Sequence, residues 1–519
     1  LYLEVHRGTY TTQARTKKWN RTCESGLRDS ELWCVAATVL EKKKYPHREL
    51  NRIWNVILDN QFHDILPGSS IEQVYKETEE CCKNAYNRIT HLSDSARKGL
   101  VSHNANSVTV FNSLSHDRIA RVEIPRSWKG AADDHGDLLP VQNDTVKNIT
   151  EIRVPSCGWT TIRRGPPLAL ANRVTVTKKN MENEVLKITL NKKGELTGIF
   201  DKETRQEIAC EECNRFMLYK DVPTWFDAWD LEKNYLLNPV PIHGTASLTV
   251  ICSGPLMGVL RVEKTINNSQ LVQDIVLYRN SRIIEFRTGI DWEETHKVLK
   301  VNFPVTVHAD HALYEIQFGH IARANHESRD YEEAQFEVCN HKWTALAETN
   351  RGVALLNDCK YGVDVRGNSI NLTCLRAAKA PDMHADRGHH AFTYALYPWN
   401  GSLYHSDFIH RAYELNCPVV SSPGRRPAGS LFTIDAGNVI IETVKMAEDN
   451  SGDVIVRMYE SKRTATRALL KSSLPVLHAA ETDLLENPLS RKAGKVNNGI
   501  RLDFRPFEIK TLRLTPKKN

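Results

Sequence analysis

The sequence predicts a mixed, mainly β protein: an N-terminal three-helix bundle, then a large antiparallel β-sandwich and smaller β domains. Three observations carry this. Apolar residues follow helical spacing through the first hundred positions, they change to alternation with period two from about Val108, and the chain has 519 residues. At about 150 residues per domain that length calls for several cores. The expected divisions are 1–100 for the helical domain, 101–425 for the large sandwich and 426–519 for a C-terminal β domain. The last boundary is placed by Ser421 to Gly429, which holds two prolines and two glycines.

Taken in order, Gln13 to Lys43 is rich in helix formers, with Trp19, Cys23, Leu27 and Leu40 at compatible positions. Leu50, Ile53, Trp54, Ile57 and Leu58 repeat at i, i+3, i+4, i+7 and i+8, an apolar stripe on a helix that should end near His63. Asp64 to Ser69 breaks the pattern. Ser70 with Gln73 then reads as a capping box for a third helix carrying Ile71, Val74, Tyr75, Thr78, Cys82, Ala85 and Ile89 on one face. Three helices with short connections make a bundle. Strand alternation follows at Val108 and Val110, at Val122 and Ile124, and at Leu186, Ile188 and Leu190 before an Asn191-Lys192-Lys193-Gly194 turn. It recurs at Leu248 to Cys252, at Ile284 to Ile290, and at Ile500, Leu502 and Phe504.

Composition excludes several classes of function. Hydrophobic residues make up 41% and charged residues 25%, which is globular rather than disordered. The net charge is +6 with no long run of one sign, so neither a nucleic-acid nor a membrane partner is expected. No stretch approaches the ~20 apolar residues of a membrane span, and Leu1-Tyr2-Leu3-Glu4-Val5 has no basic leader character. The missing initiator Met suggests that natural sequence precedes Leu1. Twelve cysteines form no repeated spacing; Cys210 and Cys213 lack a second pair, and Cys81-Cys82 reads as the edge of a helix core. Reduced thiols and a cytoplasmic location are expected, with the sequons at Asn20, Asn143, Asn148, Asn267, Asn371 and Asn400 unmodified. Walker, Gly-x-Gly-x-x-Gly, Gly-x-Ser-x-Gly and His-Glu-x-x-His motifs are all missing.

Three segments could carry chemistry. Asn60 to Ser70 sets His63 at a helix C-terminus, where unpaired carbonyls favour an imidazolium or a metal, with Asp64 beside it. A packed helix-end His is the plain alternative, since a metal needs about three or four ligands and no second one is identifiable nearby. Trp225-Phe226-Asp227-Ala228-Trp229-Asp230 alternates rings and carboxylates, a mixture suited to a sugar but also to a turn anchored by buried tryptophans. Arg376 to His390 holds Lys379, Asp382, His384, Asp386, Arg387, His389 and His390 without a closed zinc spacing. It reads as a polar loop or as a source of substrate contacts.

Gln61-Phe62-His63-Asp64 with Pro67-Gly68-Ser69 and Val74-Tyr75 resembles glycoside hydrolase family 38, the α-mannosidases. So do Leu1 to Glu4, His6 to Thr12, Asp227 to Asp230, Tyr314 to His320, Leu355 to Gly362 and Phe392 to Leu396, in the order of its cytosolic animal branch. Ala391 stands where that branch usually has Glu. The resemblance implies that an α/β barrel precedes this portion and is absent from it. It also implies a zinc ion, or another divalent metal such as cobalt, in the sugar site. His63 becomes a metal ligand whose partner ligands lie on the barrel. Asp64 becomes a substrate-binding neighbour, and Asp227, Asp230 and Trp229 are expected to contact the same sugar, with Trp225 the other ring that could line it. Glu4 is a weak candidate acid/base, and the nucleophile is expected upstream of Leu1. The complete enzyme would cleave terminal α-mannosyl residues from oligosaccharides with retention through a glycosyl-enzyme. This chain by itself would be incomplete and inactive. The alternative is a non-catalytic carbohydrate-binding or scaffold protein without the barrel. Homo-oligomerisation is left open.

Overall fold

A computed structural model describes residues 5–143, 147–170, 173–489, 494–495 and 499–517. Glu4 lies outside them. Three long helices come first: α1 (Ala14–Glu41), α2 (His47–Asp59) and α3 (Glu72–Leu100). Their stripes are those of the sequence: Leu50, Ile53 and Ile57 of α2 and Tyr75, Thr78, Cys82, Ala85 and Ile89 of α3 are buried. Three details differ. Leu58, expected on the α2 stripe, and Ile71, expected on the α3 face, are exposed. The capping box does not form, because Ile71 is the N-cap of α3 and the Ser70 hydroxyl instead donates to the Asp64 carbonyl at 2.8 Å. Ser70 is taken by the preceding turn, and Gln73 pairs along the helix with Glu77.

Strands fill the remainder. Met257–Ile266, Ser269–Tyr278, Ile284–Trp292, Gly388–Asn400 and Arg351–Asn357 form the middle of a nine-stranded sheet. A six-stranded sheet built on Lys297–Pro304 and Ser369–Arg376 and a five-stranded sheet with Leu186–Leu190 share one core with it, containing Leu186, Leu260, Phe286, Phe303 and Tyr394. Pairing is antiparallel throughout the nine-stranded sheet and this six-stranded sheet. A barrel of parallel strands is therefore not present in either of them. The predicted hairpin at 191–194 is present, and Gly194 (φ +75°) is required there because a Cβ would lie 2.5 Å from Val262. Ser247–Ser253, expected from its alternation, is an exposed edge strand.

The boundary expected at Ser421 to Gly429 is not a linker. Val420–Pro423 pairs with Ser107–Asn112, and Gly429–Ser430 pairs with Gly158–Arg164, so the segment is spliced into a sheet that begins three hundred residues earlier. Its Pro and Gly serve strand ends and a turn: Gly424 (φ +122°) donates to the Ser107 carbonyl, and a Cβ there would lie 2.6 Å from Ser102 O. The helices and the C-terminal sheets are likewise one packing unit. Leu27, Ile53 and Ile89 share a core with Val439, Ile441, Val456 and Leu512.

Candidate functional site

The three chemistry-bearing segments converge on residues 7–17, where the chain makes one 3-10 turn, passes through Gln13 (φ +59°) and enters α1. The Trp229 carbonyl accepts from Gly8 N at 2.7 Å and Thr9 N at 3.2 Å. Thr12 Oγ1 lies 2.9 Å from Ala228 O and accepts from Arg376 Nη1 at 3.1 Å. Arg376 is fully buried and paired through Nε with Asp221 at 2.5 Å. Gly8 must be glycine, since a Cβ would lie 2.1 Å from Arg376 Nη1.

The Asp64 to Ser70 turn is attached to the same segment from the other side. Gly68 (φ +98°) lies so close that a Cβ would be 2.5 Å from Thr12 O. Lys17 Nζ donates to the Thr12 and Leu66 carbonyls at 2.5 and 2.8 Å. Burial lowers this ammonium to about 7, with the Asp386 carboxylate opposing the fall. Within the motif the side chains diverge. Gln61 Nε2 reaches back to α1, donating to Asn20 Oδ1 at 2.9 Å and Glu24 Oε1 at 2.8 Å. His63 faces outward with its side chain 77% exposed, its Nε2 3.4 Å from Asp64 Oδ2 and its ring 4.1 Å from the exposed Phe62. Asp64 Oδ1 accepts from Ser69 Oγ at 3.0 Å.

Asp227 and Asp230 are committed inside the protein. Asp227 Oδ2 accepts from Lys379 N at 2.6 Å and lies 3.0 Å from His296 Nε2. Asp230 is buried, accepts from Leu231 N at 2.8 Å, and has its carboxyl raised chiefly by burial. Trp229 holds the N-terminal segment through its carbonyl and is partly buried. The large exposed rings of the motif are instead Trp225 and Phe226, 71% and 60% exposed. Among the described residues no hydrogen bond or ion pair joins Asp227 or Asp230 to His63 or Asp64.

The 377–387 loop, between the strands Ser369–Arg376 and Gly388–Asn400, caps α1. Asp386 accepts from Gln13 N and Ala14 N, each at 2.7 Å, and Asp382 Oδ2 accepts from Gln13 Nε2 at 2.7 Å. His390 is buried against Asp386 O and pushed by burial to about 3, so it is neutral. His389 and Arg387 pair on the surface with Asp291 and Glu293. His384 Nδ1 lies 3.1 Å from Glu72 Oε2, and with Asp382 the three offer ligand atoms within 4.8 Å of one another, a group that could hold a metal ion. Sequence reasoning missed Glu72 because it sits 312 positions from His384 on another element.

Comparison with known proteins bears on this arrangement. The Alpha mannosidase middle domain matches residues 4–100, the Glycosyl hydrolases family 38 C-terminal domain residues 181–384, and its C-terminal beta sandwich domain residues 438–512. Alpha-mannosidase 2C1 of Homo sapiens is 36% identical over 99% of this chain and 50% of its own length. Alpha-mannosidase G of Dictyostelium discoideum is 32% identical over 99% of this chain and 52% of its own. The chain thus spans about half the length of the curated relatives it matches. An α-mannosidase crystal structure from Enterococcus faecalis V583 has the same fold, with a TM-score of 0.81 at 17% identity, covering 98% of this chain and 68% of that one. With the helical region matching the middle domain and the sheets matching both C-terminal domains, the chain belongs to glycoside hydrolase family 38.

Proposed function

We propose that this chain is the helical and β portion of a zinc-dependent, retaining exo-α-mannosidase that removes terminal α-mannosyl residues from free oligosaccharides in the cytoplasm. The observation that carries the reading is the 36% identity to an α-mannosidase running across 99% of the chain. His63 fits a metal-ligand role: its ring is exposed beside a hydrogen-bonded turn, with Asp64 at hand to orient it. Among the described residues it belongs to no cluster of three or more ligating groups, so the reading requires its partner ligands from outside them. Zinc, or another divalent ion such as cobalt, would supply Lewis acidity toward sugar hydroxyls when bound. Asp64 has the chemistry to accept a hydroxyl proton from the mannose, and Trp225 and Phe226 offer apolar faces for a ring. Asp227 and Asp230 act as positioning residues, holding the loop that presents those rings.

The test uses the longer natural protein. Replacing His63 by Ala should remove most of the zinc retained after dialysis and lower kcat/KM on an aryl α-mannoside by at least about a hundredfold, with the melting temperature little changed. Equal zinc content in the two proteins would overturn the ligand assignment. A metal-loaded wild-type protein that releases no mannose from about pH 5 to 8 would favour a carbohydrate-binding or scaffold role instead. The cytoplasmic reading is supported by twelve free cysteines, and glycan mass on Asn143 or Asn371 would count against it.

A further inference from the structure

A cavity of about 220 Å³ opens where the three sheets that share the large core meet. Lys193 and Glu195 come from the hairpin of the five-stranded sheet, Phe216 from Arg215–Lys220 of the six-stranded sheet, and Lys264 from Met257–Ile266 of the nine-stranded sheet. Residues 239–246 close the remaining side. None of the groups considered above as sugar or metal contacts lines it. Its volume is below that of drug-sized sites, so it suits a small ion or a single small head group.

Strand alternation puts Lys264 on the face of Leu260, Val262 and Ile266, all buried in that core, and opposite the buried Leu271 of the neighbouring strand. An ammonium at a core-facing position is costly unless it is paired. Lys264 Nζ lies 4.7 Å from the centroid of the Phe216 ring, which lines the same cavity. The ring covers one side of the group. Among the described residues Lys264 forms no ion pair and its ammonium donates no hydrogen bond, which leaves three donors for a ligand. Burial pushes this ammonium from 10.5 down to about 8, with Glu195 opposing the fall and Lys193 adding to it. Nor is the amine sealed in: the unpartnered side-chain atoms cut off from solvent, such as Arg376 Nη2, do not include Lys264 Nζ. It opens onto the cavity that its side chain lines.

The other titratable groups of the wall are Lys193, Glu195, Arg215, Tyr219 and His243. Glu195 is only 8% exposed and accepts from Asn191 Nδ2 at 2.8 Å. Tyr219 Oη donates to Met217 Sδ at 3.3 Å, and His243 is exposed. Lys193 and Arg215 are exposed and, among the described residues, have no ion-pair partner. Three cations therefore stand against one carboxyl, and that carboxyl is already engaged by a neutral amide. Such an excess favours an oxyanion of more than one charge over a neutral or singly charged ligand.

We propose that this cavity is a phosphate-binding site, with the phosphoryl oxygens on Lys264 Nζ and Lys193 and Arg215 closing on them from the rim. The phosphoryl group arrives as the free ion or as the head of a small monoester, and the size of the cavity limits the body attached to it. Because the walls belong to three sheets, an occupant ties them together and raises the melting temperature.

The test is calorimetric titration of the longer natural protein with sodium phosphate and, separately, with glycerol 3-phosphate, in about 0.1 M sodium chloride. At least one of them should bind one to one with a Kd of about 1 mM or tighter, and sodium acetate should bind at least about tenfold more weakly. Lys264→Met keeps the apolar stem and should weaken phosphate binding by at least about tenfold. Arg215→Gln changes an exposed, unpaired side chain and should weaken it by at least about threefold, a second reading that does not depend on the core. His63→Ala should leave phosphate binding unchanged, which separates this site from phosphate held on a metal. No binding of either phosphate compound at about 10 mM would overturn the proposal. So would acetate binding as tightly, loss of binding in His63→Ala, or binding unchanged in Lys264→Met or, should that variant not fold, in Arg215→Gln.

Discussion

Gly68 and Glu31 show how single positions carry the geometry around the candidate site. Gly68 holds φ +98° with the Thr12 carbonyl against it, so alanine meets both backbone strain and a 2.5 Å contact. Gly68→Ala is expected to cost about 2 kcal/mol or more, read as a lower urea midpoint at unchanged slope. Glu31 is buried on α1, accepting from Trp54 Nε1 at 2.9 Å, and desolvation raises its carboxyl from 4.5 to about 7 despite that bond and the Lys445 charge. The native state therefore holds a proton that the unfolded chain releases between those values. The stability this contributes is fully present below about pH 4.5 and is lost as pH rises through about 7. Glutamine keeps the acceptor and removes the charge. Glu31→Gln should gain stability over wild type by up to about 3 kcal/mol as pH rises from about 5 to 8. A pH-independent difference between the two unfolding curves would refute this. Both residues lie in segments the sequence marks, yet neither role was legible there, because each depends on a neighbour brought in by folding.

At the scale of the element, legibility follows from whether the pattern is local. The stripe of α2 and the alternation of Ile284–Trp292 are periodic because a helix or a strand facing one core must repeat its apolar residues. The capping box failed because Ser70 had a competing acceptor in the Asp64 carbonyl, which only the closed turn supplies. The Ser421 to Gly429 segment shows the same limit, since Pro and Gly mark an end of regular structure without saying whether the next partner is solvent or a distant strand. Arg425 exchanges backbone hydrogen bonds with Ser102, and the Arg426 guanidinium pairs with Glu41 at 2.8 Å. Brief trypsin treatment of the native protein should thus leave the Arg425–Arg426 bond intact. Early cleavage there, before other sites, would mean that the segment behaves as the linker its composition suggests.

For the whole molecule, the helices and the C-terminal sheets stand or fall together, because Leu27, Ile53 and Ile89 are covered by Val439, Ile441, Val456 and Leu512. A chain cut after residue 425 should expose that face, bind a hydrophobic dye and lose the cooperative melting of its helices. Unchanged helical melting would show that the bundle needs no cover from the C-terminal sheets. The sequence by itself determined the helical start, the change to strands, the motifs and the family they belong to, since periodicity and motif order are written in consecutive residues. Tertiary structure alone decided that the three motif segments meet around residues 7–17, that Glu72 joins His384 from 312 positions away, and that Asp386 caps α1 through Gln13 N and Ala14 N. The physical reason is that hydrogen-bond satisfaction and burial belong to pairs of residues, and which pairs form is set by how the sheets and helices close on one another.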